Sequence, residues 1–165
     1  MANKLILNFC TLFNLGFVKF MPGTIGSLVS LPIGYLILKL CGLLVFILVI
    51  IALLTISYFA VSKYLTEKKS KDPKEVIIDE FIGQSIPIYL YEISHGTQKT
   101  SDEAIIFYGI CFVLFRFFDI LKPFPVSYFD KNYKNSFGVI MDDVCAGLYV
   151  VLSLICFMLL SSYLI

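Results

Sequence analysis

Residues Leu43 to Val61 read LLVFILVIIALLTISYFAV and contain no charged side chain. An α-helix needs about 20 apolar residues to cross the hydrocarbon core of a bilayer, and this stretch has that length and composition. The rest of the chain agrees: 59% of its 165 residues are hydrophobic, and its mean hydropathy is +0.90. Soluble domains average about 45–50% apolar residues. We therefore expect an integral membrane protein, with residues 1–165 forming a single domain.

Further apolar segments lie on both sides of this stretch. Five can be marked in all: Leu28–Cys41, Leu43–Val61, Phe81–Tyr91, Ala104–Phe118 and Val144–Ile165. The second and fifth are long enough to span, whereas the shorter ones are candidates for tilted, re-entrant or bundle-buried helices. Because lipid offers the backbone no hydrogen-bond partners, each spanning segment must be helical. The sequence predicts an all-α, polytopic membrane bundle of about five apolar helices.

The basic residues predict how this bundle is oriented, since cytoplasmic loops are enriched in lysine and arginine. One side of the predicted topology holds only Lys39 and Lys99. The other side holds Lys4, Lys19, Lys63, Lys68, Lys69, Lys71, Lys74, Arg116, Lys122, Lys131 and Lys134. The division is the same whether all five segments cross or the third and fourth form a hairpin that does not. The basic side is therefore predicted to be cytoplasmic. A net charge of +1 gives no reason to expect nucleic acid as a partner.

Six acidic residues fall on the same predicted side: Asp79, Glu80, Asp119, Asp130, Asp142 and Asp143. They come near the glycine-rich stretch MPGTIGS of Met21–Ser27 along the predicted cytoplasmic edge. We expect them to form one polar cleft at that edge of the bundle.

Two of the acidic sites are pairs that precede apolar segments, Asp79–Glu80 and Asp142–Asp143. One interpretation is a helix start, where carboxylates interact favourably with the helix dipole. The other is cation binding, because adjacent carboxylates near lipid repel each other unless a cation or several donors compensate them. Gly83 shares a helix face with Asp79 and would let a neighbouring helix or a ligand approach closely.

The stretch FVLFRFFDILKPFP, from Phe112 to Pro125, contains the only arginine of the chain. Arg116 and Asp119 are three residues apart and share a helix face, and Lys122 follows just before Pro123, which should end the helix. One interpretation is an internal ion pair with the lysine reaching to water. The other is a phosphate site, because an arginine fork and a lysine at a membrane edge suit a phosphate.

The glycine-rich stretch is a second candidate for anion binding. It is expected to form a loop directly before a helix, where the hydroxyls of Thr24 and Ser27 and backbone N–H groups can face an anion. The alternative is a plain turn followed by a serine N-cap.

Other chemistries fit the chain poorly. Its five cysteines lack metal-type spacing and are expected to be buried, reduced thiols. Cys111 is one residue too close to Arg116 for a thiol-phosphatase loop, and the single histidine, His95, falls on the opposite predicted side. Hard oxygen ligands beside an arginine and lysines suit Mg²⁺ and phosphate better than Zn²⁺.

Four motifs in this order, PGTIGS, DEFIG, FRFFDILKPFP and GVIMDDVCAG, resemble those of the phosphatidylglycerophosphatase A family. The resemblance covers residues 16–149, most of the chain. It implies Mg²⁺-dependent hydrolysis of the membrane phospholipid phosphatidylglycerophosphate to phosphatidylglycerol and phosphate, at the cytoplasmic face of the bacterial inner membrane.

The resemblance also implies roles for individual residues. The family's acidic positions match the six acids named above, and its basic positions match Arg116 and Lys122. We expect Asp79, Asp142 and Asp143, together with Glu80, to hold Mg²⁺, while Asp119 orients Arg116 or activates water and Asp130 contributes further. The alternatives of another class are a small cation-coupled transporter that uses the same acids and a non-catalytic membrane scaffold.

Overall fold

The computed structural model describes residues 4–69, 73–95 and 101–164. These ranges form six α-helices and a short 3-10 turn at Leu15–Phe17, with no strand among them. The helices are α1 (Lys4–Cys10), α2 (Pro22–Lys68), α3 (Ile78–His95), α4 (Ser101–Leu121), α5 (Val126–Asn132) and α6 (Ser136–Leu164). The all-α prediction is confirmed. Three helices are long and apolar enough to cross a membrane: α2, α4 and α6.

Helix α2 is broken at Gly42, which has φ 81° and ψ 178°. Only glycine adopts this conformation without a large steric cost. Across the break, the Phe46 ring packs on Gly34, 3.2 Å from where a Cβ of residue 34 would lie. Twelve residues of straight helix would separate these two positions by about 18 Å, so the chain folds back at Gly42. The break lies between the predicted segments Leu28–Cys41 and Leu43–Val61.

Two predicted helix boundaries are wrong. Helix α2 begins at Pro22, so the PGTIGS stretch lies within its first turns and not in a preceding loop. Proline is well tolerated at the first helical position, where its missing N–H would have no partner. Helix α6 begins at Ser136, so Asp142 and Asp143 lie within it and not at its start. The helix-dipole interpretation therefore applies only to Asp79 and Glu80, in the first turn of α3.

The predicted end of α4 is confirmed, since the helix stops at Leu121, before Pro123. Lys122 follows in the left-handed region, with φ 46°. Pro87, by contrast, lies inside α3 without ending it.

Helix α3 packs between α2 and α6 through glycines. A Cβ on Gly83 would lie 2.6 Å from the carbonyl oxygen of Asp143, and one on Gly147 would overlap the carbonyl of Gly83. Toward α2, a Cβ on Gly26 would lie 2.7 Å from the carbonyl oxygen of Ile77, the residue directly before α3. Small residues let helix backbones approach this closely. The α3–α6 crossing places the first turn of α3 beside Asp143.

The outer surface of the bundle is rich in large apolar side chains. Examples with at least 70% exposure are Leu40, Leu44, Ile105 and Phe157. Contiguous apolar surface of this kind is typical of contact with lipid. It also explains a wrong prediction about cysteines: all five are free thiols, but Cys41 and Cys156 are exposed on this surface and only the other three are buried.

Candidate active site

A pocket of about 280 Å³ lies where α3 begins and α4 ends. Eight of the residues singled out from the sequence line it: Asp79, Glu80, Arg116, Asp119, Lys122, Asp130, Asp142 and Asp143. Thr24 and Ser27 are not among its lining residues, although Pro22 and Gly23 from the same helix turn are. The structure thus brings together residues from α2, α3, α4, α5 and α6. The His95 side chain, Lys71, Lys99 and Ile165 lie outside what the structure describes.

Three carboxylates at the base of the pocket, Asp79, Glu80 and Asp143, form a compact group that we call the acid triad. Each offers an oxygen within 4.8 Å of the others. Asp79 and Asp143 are buried, and Glu80 is half-buried. Glu80 Oε2 and Asp143 Oδ1 are inaccessible to solvent and have no hydrogen-bond partner. An unpartnered buried carboxylate oxygen carries a large desolvation cost, so the acid triad requires a cation or protons.

The pKa values of the triad residues in α3 reflect this cost. Burial, followed by the charge of Glu80, raises the pKa of Asp79 well above its usual range. Burial also raises the pKa of Glu80, to about 7, against the lowering effects of its hydrogen bond with Asp79 and of the Arg116 charge. Without a cation, these carboxyl groups resist full ionisation at neutral pH.

The acid triad fits a hard divalent cation. All of its donors are carboxylate oxygens, which Mg²⁺ and Ca²⁺ prefer. Its spread of up to 4.8 Å is close to the roughly 4–5 Å that separates opposite oxygens around such an ion. Asp142, also predicted to be a ligand, is not part of this group, and its carboxylate is paired with a lysine instead.

That lysine is the centre of a second group, the Lys122 network, formed by Lys122, Asp130, Asp142 and Lys134. Lys122 Nζ lies 2.9 Å from Asp130 Oδ1 and 3.0 Å from Asp142 Oδ2. Lys134 Nζ lies 3.7 Å from Asp130. Burial alone would lower the pKa of Lys122, but the two carboxylates raise it above its ordinary value. Lys122 thus points into the pocket and does not extend freely to water.

The predicted pair of Arg116 and Asp119 is present in α4. Arg116 Nη1 lies 2.8 Å from Asp119 Oδ2 and donates a hydrogen bond to Ser27 Oγ at 3.3 Å. Arg116 Nε is buried and has no partner. The arginine is therefore held by the protein on one side of its guanidinium and retains donors on the other.

Several pocket residues were missed by the sequence interpretation. Lys74, Tyr133 and Lys134 line its polar rim, and Met21 and Ile120 line an apolar rim. There was a reason in the sequence to expect the two lysines near the site, since both fall on the predicted cytoplasmic side with the acidic residues. Met21 and Ile120 lie within the two candidate stretches Met21–Ser27 and Phe112–Pro125, but as apolar residues in an apolar chain neither was distinctive.

Comparison with known proteins agrees with the motif resemblance. The sequence profile described as phosphatidylglycerophosphatase A matches residues 8–158. The chain belongs to this family. Similar proteins include the phosphatidylglycerophosphatase A of Haemophilus influenzae, 33% identical over 140 residues, which cover 85% of this chain and 80% of that protein. The Escherichia coli phosphatidylglycerophosphatase A is 31% identical over 140 residues, or 82% of this chain and 73% of that one.

One relative carries a different name. A Bacteroides thetaiotaomicron protein, provisionally named a phosphatidylinositol-3-phosphatase, is 34% identical over 140 residues and 83% of each chain. Both names describe phosphatases of phosphatidyl lipids. No solved structure matches the chain.

Proposed function

We propose that this protein hydrolyses phosphatidylglycerophosphate to phosphatidylglycerol and phosphate in a Mg²⁺-dependent reaction. The observation that supports this proposal is the pocket itself, where three carboxylates with uncompensated buried oxygens lie beside an arginine with unused donors. Family membership supplies the substrate, since two relatives of similar length are named for this activity.

Asp79, Glu80 and Asp143 are the residues that would hold the metal. When bound, Mg²⁺ would neutralise phosphate charge and polarise the phosphoryl group. Asp142 lies next to Asp143 in α6 and is held by Lys122, so it supports the metal site from its edge. Among the described residues that line the pocket there is no cysteine or histidine to act as a nucleophile. Phosphoryl transfer does not require one, because it depends chiefly on positioning and charge neutralisation.

Arg116 and Lys122 are proposed to bind the remaining oxygens of the terminal phosphate. The free guanidinium edge of Arg116 has the fork geometry for two phosphate oxygens. Asp119 orients Arg116 from 2.8 Å, and Asp142 lies 3.0 Å from Lys122 Nζ. Of these two carboxylates, Asp119 is proposed to accept the proton of the attacking water. Asp130 holds Lys122 in place from the opposite side.

The lipid approaches from the membrane. Met21 and Ile120, both exposed apolar residues, form one rim of the pocket, and the acyl chains would remain in lipid beside them. We propose a single domain of five membrane segments, namely the two arms of α2 with α3, α4 and α6, and a cleft that faces the cytoplasm. Cysteines placed at Lys74 and Lys134, with the native thiols replaced, should resist an impermeant reagent added outside intact cells. Ready labelling of both would reverse the orientation.

The described acids favour an enzyme over a transporter. Of the buried acidic residues in the described ranges, only Glu92 lies away from the pocket, and it accepts a hydrogen bond from Tyr108. A coupled transporter places its ion sites near the membrane midplane between repeats, whereas these carboxylates collect at one end of the bundle.

A phosphatidylinositol 3-phosphatase activity is the second candidate, because of the Bacteroides thetaiotaomicron relative. Purified protein in mixed micelles should be given phosphatidylglycerophosphate, phosphatidylinositol 3-phosphate and phosphatidic acid, each with Mg²⁺ and with chelator. We expect metal-dependent phosphate release, fastest from phosphatidylglycerophosphate. No release from this lipid under any condition would overturn the proposal, and preference for the inositol lipid would replace it with the second candidate.

A further inference from the structure

We propose that Ser27 is a positioning residue that locks the Arg116 guanidinium in the orientation needed to bind phosphate. The inference rests on the proposed function and gives the glycine-rich PGTIGS motif a role other than direct phosphate contact. Ser27 lies in α2, completely buried, and its hydroxyl meets an arginine from α4.

The direction of this hydrogen bond is determined by a second one. Ser27 Oγ donates its only proton to the carbonyl oxygen of Gly23, 3.0 Å away. Toward Arg116 the hydroxyl must therefore act as an acceptor, which matches a guanidinium that has only donors. Because Ser27 has no solvent exposure, water cannot easily replace its oxygen.

The two acceptors together occupy one nitrogen of the arginine. Nη1 carries two hydrogens, and its partners are Asp119 at 2.8 Å and Ser27 at 3.3 Å. The donors left for an anion are therefore Nε–H and the Nη2 group, and Nε is buried with no partner in the protein. This edge of a guanidinium can bind two phosphate oxygens in parallel.

Ser27 connects the Arg116 guanidinium to a second helix, which Asp119 cannot do. Asp119 lies on the same helix as Arg116, so their pair moves with α4. Ser27 ties the guanidinium to α2, beside Gly23, where a Cβ would overlap Glu80 Oε1 and lie 3.5 Å from Arg116 Nη1. The hydroxyl thus sets the distance between the arginine and the acid triad.

The test compares Ser27→Ala with Ser30→Ala. Ser30 is a matched control because it is also fully buried in α2 and its hydroxyl also donates to a helix carbonyl, that of Ser27, at 2.7 Å. The described contacts of Ser30 do not include Arg116. Calorimetry with inorganic phosphate and Mg²⁺ measures anion affinity, steady-state kinetics with phosphatidylglycerophosphate measure kcat and KM, and thermal unfolding monitors the fold.

Losing an acceptor from a charged donor should weaken phosphate binding and lower kcat/KM by roughly tenfold in Ser27→Ala. Ser30→Ala should remain within about twofold, with similar unfolding temperatures for both variants. In an Arg116→Ala background, added guanidinium ion should restore activity when Ser27 is present and much less when it is alanine, because the free ion needs the same acceptor. A packing role for Ser27 would not change this rescue.

Equal effects of the two alanine variants, or guanidinium rescue that does not depend on Ser27, would overturn the inference. If the wild-type protein binds phosphate but leaves phosphatidylglycerophosphate intact, the proposed function fails, while the phosphate affinities of Ser27→Ala and Ser30→Ala still decide the role of Ser27. A wild-type protein that binds no phosphate overturns the Ser27 inference whatever its activity.

Discussion

The acid triad and the Lys122 network occupy the same pocket but differ in charge balance. In the network, two carboxylates share a lysine at 2.9 and 3.0 Å, and a second lysine lies nearby. In the triad, three carboxylates within 4.8 Å of one another have two buried oxygens without a partner. The network is satisfied by the protein itself, whereas the triad needs a cation or protons to compensate its buried oxygens. Asp142 and Asp143, adjacent in sequence, fall on opposite sides of this division.

The largest expected effect is a loss of turnover, and it should differ between Asp142 and Asp143. Asp143→Asn should reduce turnover by about 1000-fold or more, because it removes a ligand charge from the metal site. Asp79→Asn should do the same. Asp142→Asn, the same substitution one residue away, should cost only about tenfold, since Lys122 keeps Asp130 as a partner. Phosphate release at saturating Mg²⁺ measures all three, and equal losses for Asp142→Asn and Asp143→Asn would remove the distinction.

Arg116→Lys should lower kcat/KM by about 100-fold although it keeps the charge, because an ammonium cannot reproduce the planar fork. If Arg116 served only to neutralise Asp119, the double variant Arg116→Met with Asp119→Leu would keep its activity, since a well-packed apolar pair can replace an ion pair. We expect this double variant to fold, as judged by thermal unfolding, and to be inactive. An active double variant would contradict a phosphate-binding role.

Lys122→Met tests whether the network needs its own cation. It leaves Asp130 and Asp142 without their shared partner, and we expect a loss of about 1–2 kcal/mol in stability after allowing for partial solvent exposure. Adding Asp130→Asn and Asp142→Asn should recover most of it. Lys134→Met is the control, with little expected effect because the Lys134 ammonium is 3.7 Å from Asp130 and the side chain is 42% exposed. Chemical denaturation in detergent provides the measurement.

The smallest effect is in the pH dependence of stability. In the metal-free protein the pKa of Glu80 is raised from 4.5 to about 7, and that of Asp79 is also raised. The folded state then binds more protons than the unfolded state, so stability should fall as pH rises from about 5 to 8. Saturating Mg²⁺ should remove this fall by stabilising the ionised carboxylates.

Asp130 of the Lys122 network should contribute nothing to this change. The pKa of Asp130 is lowered from 3.8, because its contacts with Lys122 outweigh burial, so its stabilisation is lost only below pH 4. Unfolding temperatures of the chelator-treated protein at pH 5 and pH 8 are the measurement. Identical stability at both values, with and without Mg²⁺, would mean that the triad needs no cation.

Much of this protein can be predicted from sequence because its main signals are local. Uncharged stretches such as Leu43–Val61 dictate helices in lipid, and Pro123 ends α4 wherever that helix lies. The spacing of Arg116 and Asp119 is enough to place them on one helix face. Four ordered motifs were enough to indicate the family, which the comparison with known proteins confirms.

What only the tertiary structure decided is which charges meet across helices. By sequence alone Asp142 and Asp143 are equivalent, but neighbouring side chains on a helix point about 100° apart. The Asp142 carboxylate therefore meets Lys122, and the Asp143 carboxylate meets Asp79 and Glu80 of α3. Ser27 could not be assigned to Arg116, 89 positions away, because their contact exists only where α2 and α4 converge. Residue types thus determined that a membrane protein carries a polar site rich in carboxylates. The glycine crossings of α3 with α2 and α6, which permit close backbone approach, determined which carboxylates form it.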